Sequence, residues 1–231
     1  MSQRSKDRFP FHDPLEIIPR IRTKVHSIWL RLTYPFASIG RNLSVHFTCL
    51  LSRRAAFAIK LGDSVCIGKD SWLNVSDPKK DKVVLVIDDN CFIGSRCQIS
   101  GKNHIHIERA VLISSSVVIM DHSHAYEDLT RPILEQGITE GGRIRIGEGS
   151  WIGHGAAIVC TRGELVLGRH CVVAANALVT SSCPPYSVIV GNPGRVIRQF
   201  DPAKNEWVIG SVRSAPTTDA TKKEKPDAAL V

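Results

Sequence analysis

The sequence predicts an all-β fold: a parallel β-helix of about five three-sided coils, with a partly helical extension before it and a disordered tail after it. Three observations predict it. An aliphatic residue returns every six positions, as in Leu61, Ile67 and Leu73, or Ile87, Ile93 and Ile99, or Ile146, Ile152 and Ile158. Four residues after the first two members of each triplet stands a small or β-branched residue, such as Val65, Ser71, Cys91, Cys97 or Ala156. Extra residues enter only after a third member, behind Leu73, Ile99, Ile119 and Ile158.

A period of six is neither a helical repeat nor a simple strand alternation. A β-sandwich would give turn signals at wider spacing, roughly every 8–12 residues. Two further triplets, Ile107, Ile113, Ile119 and Leu167, Val173, Val179, keep the same count. Glycine often follows the aliphatic, as at Gly62, Gly68, Gly94, Gly147, Gly153 and Gly168. One side chain of each hexapeptide fills the axis of the prism, and a small one tucks in beside it near the corner. Three hexapeptides close one coil, so all insertions leave from one corner. Irregular loops on a rigid scaffold are where function concentrates, and the largest insertion lies between Ile119 and Ile146.

Along the chain, residues 1–60 form a basic, partly helical extension, 61–200 the β-helix, and 201–231 the tail. Residues 1–14 carry no pattern and are expected to be loosely attached. Ile18, Ile21, Val25, Ile28 and Leu32 recur at helical spacing, with Arg20, Arg22, Lys24 and Arg31 among them, up to Pro35. Such a helix can cap the open end of a solenoid, which must hide its strand edges. It could also make peripheral contact with an anionic membrane through residues 15–33. Pro184-Pro185 ends the strand pattern, and residues 191–200 form a closing segment. Residues 211–231 are rich in Ser, Thr, Ala, Lys and Pro, a composition that does not build a core.

Composition narrows the class. Aromatic residues make up only 6% of the 231, which suits a thin column better than a thick core. The formal net charge of +8 raises nucleic acid as a partner. The basic residues gather at the two ends, however, and no nucleic-acid-binding motif accompanies them. Seven cysteines include no CxxC pair, and Cys91, Cys97 and Cys171 occupy the small inner position, where a thiol acts as a small hydrophobe. With no secretory signal pattern, reduced thiols in the cytoplasm are expected. No apolar run of about 18 residues is long enough to span a bilayer.

The long insertion begins DHSH, with His122 and His124 at its mouth. Histidine titrates near neutrality and is suited to general-base work. Glu127, Asp128 and Glu135 follow, and any of them could orient an imidazole. No metal site is expected.

Taken together, the hexapeptides, DHSH with EQGI, WIG at 151–153 and PPYSVIVGNPGRVIR at 184–198 resemble the bacterial hexapeptide-repeat acyltransferases. The likeness covers residues 61–198. It is nearest to the O-acetyltransferases of cell-surface polysaccharide biosynthesis, relatives of the galactoside, maltose and nodulation-factor enzymes. The resemblance implies a left-handed winding, a homotrimer and acetyl-CoA held between subunits. It implies that His122 is the catalytic base, with His124 as alternative, acting on a sugar or glycan hydroxyl. It assigns Arg195 and Arg198 to the CoA phosphates and Thr180 and Ser181 to the pantetheine region. Ala175 and His154 match other CoA-lining positions, and Trp151 matches an aromatic near the site. The family commonly has Lys where this chain has Ser181. The segment CysThrArgGlyGlu at 160–164 is longer than the usual turn, and the asparagine of the galactoside-type acceptor site is missing, Gly94 falling near its place.

Two other readings remain. The γ-class carbonic anhydrases share the scaffold and need three histidines around zinc, for which His104, His106, His122 and His124 are candidates. A non-enzymatic solenoid scaffold would bind a membrane or a glycan-assembly partner through its N-terminal segment.

Overall fold

The computed structural model describes residues 14–209 and shows a stacked parallel β-solenoid of six coils. Each coil contributes one short strand to each of three faces. In coil one these are β1 (Ser38–Ile39), β2 (Ser44–Val45) and β3 (Leu50–Leu51). Strands of successive coils pair parallel and in register, so Ile67 stacks on Ile93 and Ile113 on Ile152.

The repeat fills the column as its spacing requires. All fifteen hexad aliphatics are at most 2% exposed, from Leu61 to Val179. All ten small positions are at most 1% exposed, and Cys91, Cys97 and Cys171 are among them. Each large side chain so buried contributes about 1.5–3 kcal/mol relative to exposure.

The corners on either side of the second face share one backbone device. The residue before each small inner position is left-handed: Ser64, Asp70, Asn90, Arg96, Ala110, Ser116, Gly149, Gly155, His170 and Asn176 have φ between +53° and +67°. None is β-branched, the class that tolerates this region least. The glycine after the aliphatic answers a different demand. A Cβ on Gly94 would stand 2.6 Å from the carbonyl carbon of Ser114 in the next coil. Adjacent coils touch there backbone to backbone.

The period alone gives five coils, and the structure has six. Ile39, Val45 and Leu51 keep the six-residue spacing inside the basic extension, so the column starts at Ser38. The 3₁₀ segment Arg53–Ala58 separates that triplet from Leu61 and hides the continuity.

Both ends of the column are closed. Helix α1 (Pro14–Thr33) covers the first. Ser27 Oγ accepts from the Val45 backbone N–H at 2.9 Å, and the His26 ring lies 3.2 Å from the Val45 carbonyl oxygen, which satisfies the edge of β2. Leu30 is buried in the core, and Arg31 donates to the Gly40 carbonyl at 2.9 Å. At the other end Ser187–Val190 continues the second face. Arg195–Asp201 then adds antiparallel, followed by Glu206–Ile209. The tail expected to be disordered from 201 is therefore ordered to 209, because this hairpin extends the sheet. Residues 1–13 and 210–231, for which disorder was expected, lie outside the described residues.

Candidate active site

The insertions leave from the corner between the third and first faces, and the long loop 121–142 is pinned there. Thr139 N–H donates to the Ser123 carbonyl at 2.8 Å, Ala125 N–H to Gly137 at 3.1 Å, and Gly142 N–H to Asp121 at 2.6 Å. The Lys102 ammonium reaches the Thr139 carbonyl, and the Asn103 amide reaches Glu140 at 2.7 Å. The tip is apolar and open, with Leu129 96% and Leu134 89% exposed beside helix α2 (Ile133–Gln136).

His122 sits at the base of this loop and is 9% exposed. Its Nδ1 is 2.9 Å from Asp121 Oδ1, and its Nε2 is 2.8 Å from Ser76 Oγ. Asp121 is fully buried and accepts the backbone N–H groups of Lys102, Asn103 and His104 at 2.7, 2.8 and 2.9 Å. Burial alone would raise its pKa. The His122 hydrogen bond and the three backbone donors outweigh that and hold it below the ordinary carboxylate value. An ionised carboxylate only accepts, so Nδ1 carries a proton, and in the neutral ring Nε2 offers its lone pair to the Ser76 hydroxyl. Ser76 is joined to Ser100 Oγ at 3.3 Å, and Asn74 Nδ2 donates to Ser100 Oγ at 2.9 Å.

The result is an ordered chain of carboxylate, imidazole and hydroxyl. A base held in one tautomer by a buried acid is equipped to take a proton from a hydroxyl placed where Ser76 Oγ now lies. The orienting carboxylate is Asp121, none of the three considered from the sequence. Glu127 and Glu135 are exposed on the loop, and Asp128 is taken up by Thr130 and Arg131. Ser76, Ser100 and Asn74 were not anticipated either. Their signal is the register: Leu73, Ile99 and Ile119 stack, so Ser76 and His122, each three positions later, occupy one column. Gly94 lies on a different corner, and the side-chain amide near His122 belongs to Asn74.

The other expected site residues divide into two groups. Thr180 and Ser181 follow Val179, which stacks on Ile158 and Ile119, so they emerge at the same corner as His122 two coils further on. At the usual strand spacing that is about 10 Å along the axis. Trp151 lies on the second face, 48% exposed, and its indole N–H donates to Ser114 Oγ at 3.0 Å. His154 and Ala175 are exposed at the corner between the second and third faces, where the Asn176 N–H donates to the His154 carbonyl. Arg195 and Arg198 lie on the closing hairpin of the second face, and the Arg198 guanidinium stands 5.5 Å from the centre of the Trp207 ring. One chain therefore unites His122 with Thr180 and Ser181, and sets Trp151, His154, Ala175, Arg195 and Arg198 on the other side of the third face. His124 is exposed in the loop stem, bridged to Ile138, and takes no part in the Asp121–His122–Ser76 chain.

Among the described residues no three His, Cys, Asp or Glu side chains group as metal ligands. His104 and His106 lie on the first face, where His106 Nε2 is 2.7 Å from Asp88 Oδ2. A cavity of about 540 Å³ lies at the corner between the first and second faces. Among its charged residues Arg145 pairs with Glu108 at 2.5 Å and Glu148 with Arg109 at 2.6 Å, and the Arg169 guanidinium stands 5.2 Å from the centre of the Tyr186 ring.

Comparison with known proteins agrees with the resemblance to hexapeptide-repeat acyltransferases. No protein-family profile matches the chain. A protein of Mycobacterium tuberculosis named as an acetyltransferase, Rv3034c, is 29% identical over 72% of this chain and 51% of its own length. A protein of Escherichia coli named as a lipopolysaccharide biosynthesis O-acetyl transferase, WbbJ, is 27% identical over 54% of this chain and 65% of its own. The chain thus matches about half of the first relative and under two thirds of the second. Among solved structures, an N-acyltransferase from Bacillus cereus, AntD, in a complex with dTDP and coenzyme A, superposes with a TM-score of 0.61 at 18% identity. That superposition covers 77% of this chain and 90% of the other. A hexapeptide-repeat acetyltransferase of Vibrio cholerae superposes with a TM-score of 0.52 at 22% identity, over 81% and 86%. In sequence the chain is similar to proteins named as acetyltransferases, and it has the fold of the hexapeptide-repeat acyltransferases.

Proposed function

We propose that the chain is an acetyltransferase that moves an acetyl group from acetyl-CoA to a sugar hydroxyl, in the assembly of a surface polysaccharide. The observation that carries this is the hydrogen-bonded chain Asp121–His122–Ser76. In this reading the acceptor hydroxyl takes the position of Ser76 Oγ. His122 Nε2 removes its proton, and the oxygen attacks the thioester carbonyl carbon directly. The carbon–sulfur bond breaks, and CoA leaves as a thiol with the proton returned by the imidazolium. Holding both reactants in one cleft supplies much of the rate. The acetyltransferase names of the relatives support the reaction class, and the WbbJ name supports the acceptor class. The coenzyme A in the AntD complex supports the donor.

The donor residues give the reading its quaternary form. Arg195 and Arg198 suit the CoA phosphates, since a guanidinium matches them with a fork of donors. They and His122 lie on opposite edges of the third face, so a neighbouring protomer brings the two sets together. We read the assembly as a homotrimer in the cytoplasm. Two apolar surfaces support it. Phe92, Leu112 and Trp151 stack in register on the second face, 47%, 44% and 48% exposed. The tip of the His122 loop presents Leu129 and Leu134. Exposed apolar patches of this kind mark interaction surfaces.

Labelled acetyl-CoA and a panel of glycans test the proposal. Transfer is expected, and His122→Ala should lower it about 10²–10⁴-fold. Mixing His122→Ala subunits with Arg195→Ala/Arg198→Ala subunits should restore part of the activity, because each supplies what the other lacks. Unchanged turnover in His122→Ala would remove the base. No rescue on mixing would remove the shared cleft.

A further inference from the structure

Helix α1 docks on the column by its smaller, more polar side. Pro19, Thr23, His26, Ser27, Leu30 and Thr33 are its buried or half-buried residues. Its apolar stripe faces away. Ile18, Ile21, Val25, Ile28 and Leu32 are 67%, 57%, 60%, 54% and 78% exposed, and Trp29 beside them is 49% exposed. At about 100° per residue these six fall in one continuous sector. Arg20, Lys24 and Arg31 line one margin of that sector, and Arg22 lines the other. A helix whose whole purpose was to plug the column would turn this stripe inward.

We infer that α1 is an interfacial helix that seats the protein on an anionic lipid bilayer. The inference goes beyond acyl transfer and does not depend on it. An apolar sector with basic margins buries its face at the headgroup boundary and places its cations against anionic headgroups. Trp29 lies in the sector, where an indole suits that boundary. Charge selects this occupant over a second copy of the chain. The protein carries a net charge of +8, and two α1 faces brought together would oppose Arg20, Lys24 and Arg31 with their own equivalents. The polar inner face of α1 stays free to close the β2 edge through Ser27 and His26, so docking and membrane contact use opposite sides of one helix.

The test is sedimentation of the full chain with vesicles of phosphatidylcholine alone or mixed equally with phosphatidylglycerol. Binding to the anionic vesicles is expected to exceed binding to the neutral ones by at least ~10-fold and to fall steeply in about 0.5 M salt. Ile21→Ser/Val25→Ser/Ile28→Ser should reduce it at least ~10-fold, with an unchanged circular dichroism spectrum. Arg20→Gln/Lys24→Gln should reduce only the anionic preference, again about 10-fold. If the apolar variant does not fold, the basic pair and the salt series decide. Absence of vesicle binding overturns the inference, as does equal binding to both vesicle types. So does an apolar variant that binds vesicles normally but changes oligomeric mass, which would assign the face to contacts between copies.

Discussion

The corners on either side of the second face and the corner between the third and first faces are built on opposite plans. The former repeat one turn through coils two to six, with a left-handed residue followed by a small buried one. The latter differs each time: a 3₁₀ segment after coil one, the 121–142 loop after coil four, a short turn at 160–163 after coil five. Its inner column makes the contrast plain. Two positions after the stacked aliphatics Leu73, Ile99, Ile119 and Ile158 stand Val75, Gly101, Asp121 and Cys160. Three of these are neutral, and the fourth is a fully buried carboxylate. Two regular corners per coil hold the register, which frees the third to carry loops and charge without disturbing the stack.

Asp121→Asn tests the variable corner hardest. The asparagine amide can present a donor where three backbone N–H groups already point, and it no longer fixes the His122 tautomer. A fall in kcat of about 10²–10⁴ is expected, with a displaced acid limb in the pH profile of kcat/KM. Retention of activity within about threefold of the parent would show that the buried carboxylate serves packing alone. Ser76→Ala is the companion variant. In the proposed reaction the Ser76 hydroxyl gives way to the acceptor, so its loss should cost less than about tenfold. A defect as deep as that of His122→Ala would place Ser76 in the chemistry itself.

Gly94→Ala and Leu134→Ala set the two kinds of corner against each other in stability. At Gly94 the added methyl meets the Ser114–Ser115 backbone, which two strands hold in place. Denaturant unfolding should show a loss of about 1–3 kcal/mol from overpacking. Leu134 is 89% exposed at the loop tip, so its truncation should leave stability within about 0.5 kcal/mol. Equal losses would mean that the loop is as integral to the column as the coils.

The same division explains what the sequence revealed. A column whose inner positions must be aliphatic or small writes its period into the chain, so Leu61 through Val179 were legible as core and the exit corner could be located. Coil one was hidden because the Arg53–Ala58 segment interrupts the count. The fold of residues 201–209 was hidden because an antiparallel hairpin carries no hexad. His122 came from its place at the loop mouth and from the family resemblance. Asp121 was passed over in favour of the carboxylates further along the loop, because the equivalent positions Val75, Gly101 and Cys160 in the adjoining coils are neutral. Ser76 needed the register counted across two coils. The outward turn of the α1 apolar face could not be read from its spacing, since a helical stripe fixes which residues share a side and leaves open what that side meets.

The mildest test uses pH and reaches both kinds of corner. His46 stands at the entrance of a corner of the second face, where its Nδ1 lies 2.9 Å from Thr48 Oγ1. His104 starts the first-face strand after the exit corner of coil three. Both have pKa values below the ordinary 6.5, chiefly because burial disfavours the charged ring. Arg143 and Lys82 add to this at His104, and Lys69 and Arg22 at His46, where Asp70 partly opposes them. The unfolded chain therefore takes up these protons at a higher pH than the folded one. Their contribution to stability is complete above about pH 6.5 and declines as the pH falls toward the folded-state values. Asp121, held below its ordinary 3.8, loses its contribution only in stronger acid. Thermal melts from about pH 8 to pH 4.5 should thus show a shallow fall in Tm that begins near 6.5. His104→Gln should flatten part of it, and His46→Gln the rest. A Tm that stays level until the carboxylates titrate would mean that neither ring is held neutral by the fold.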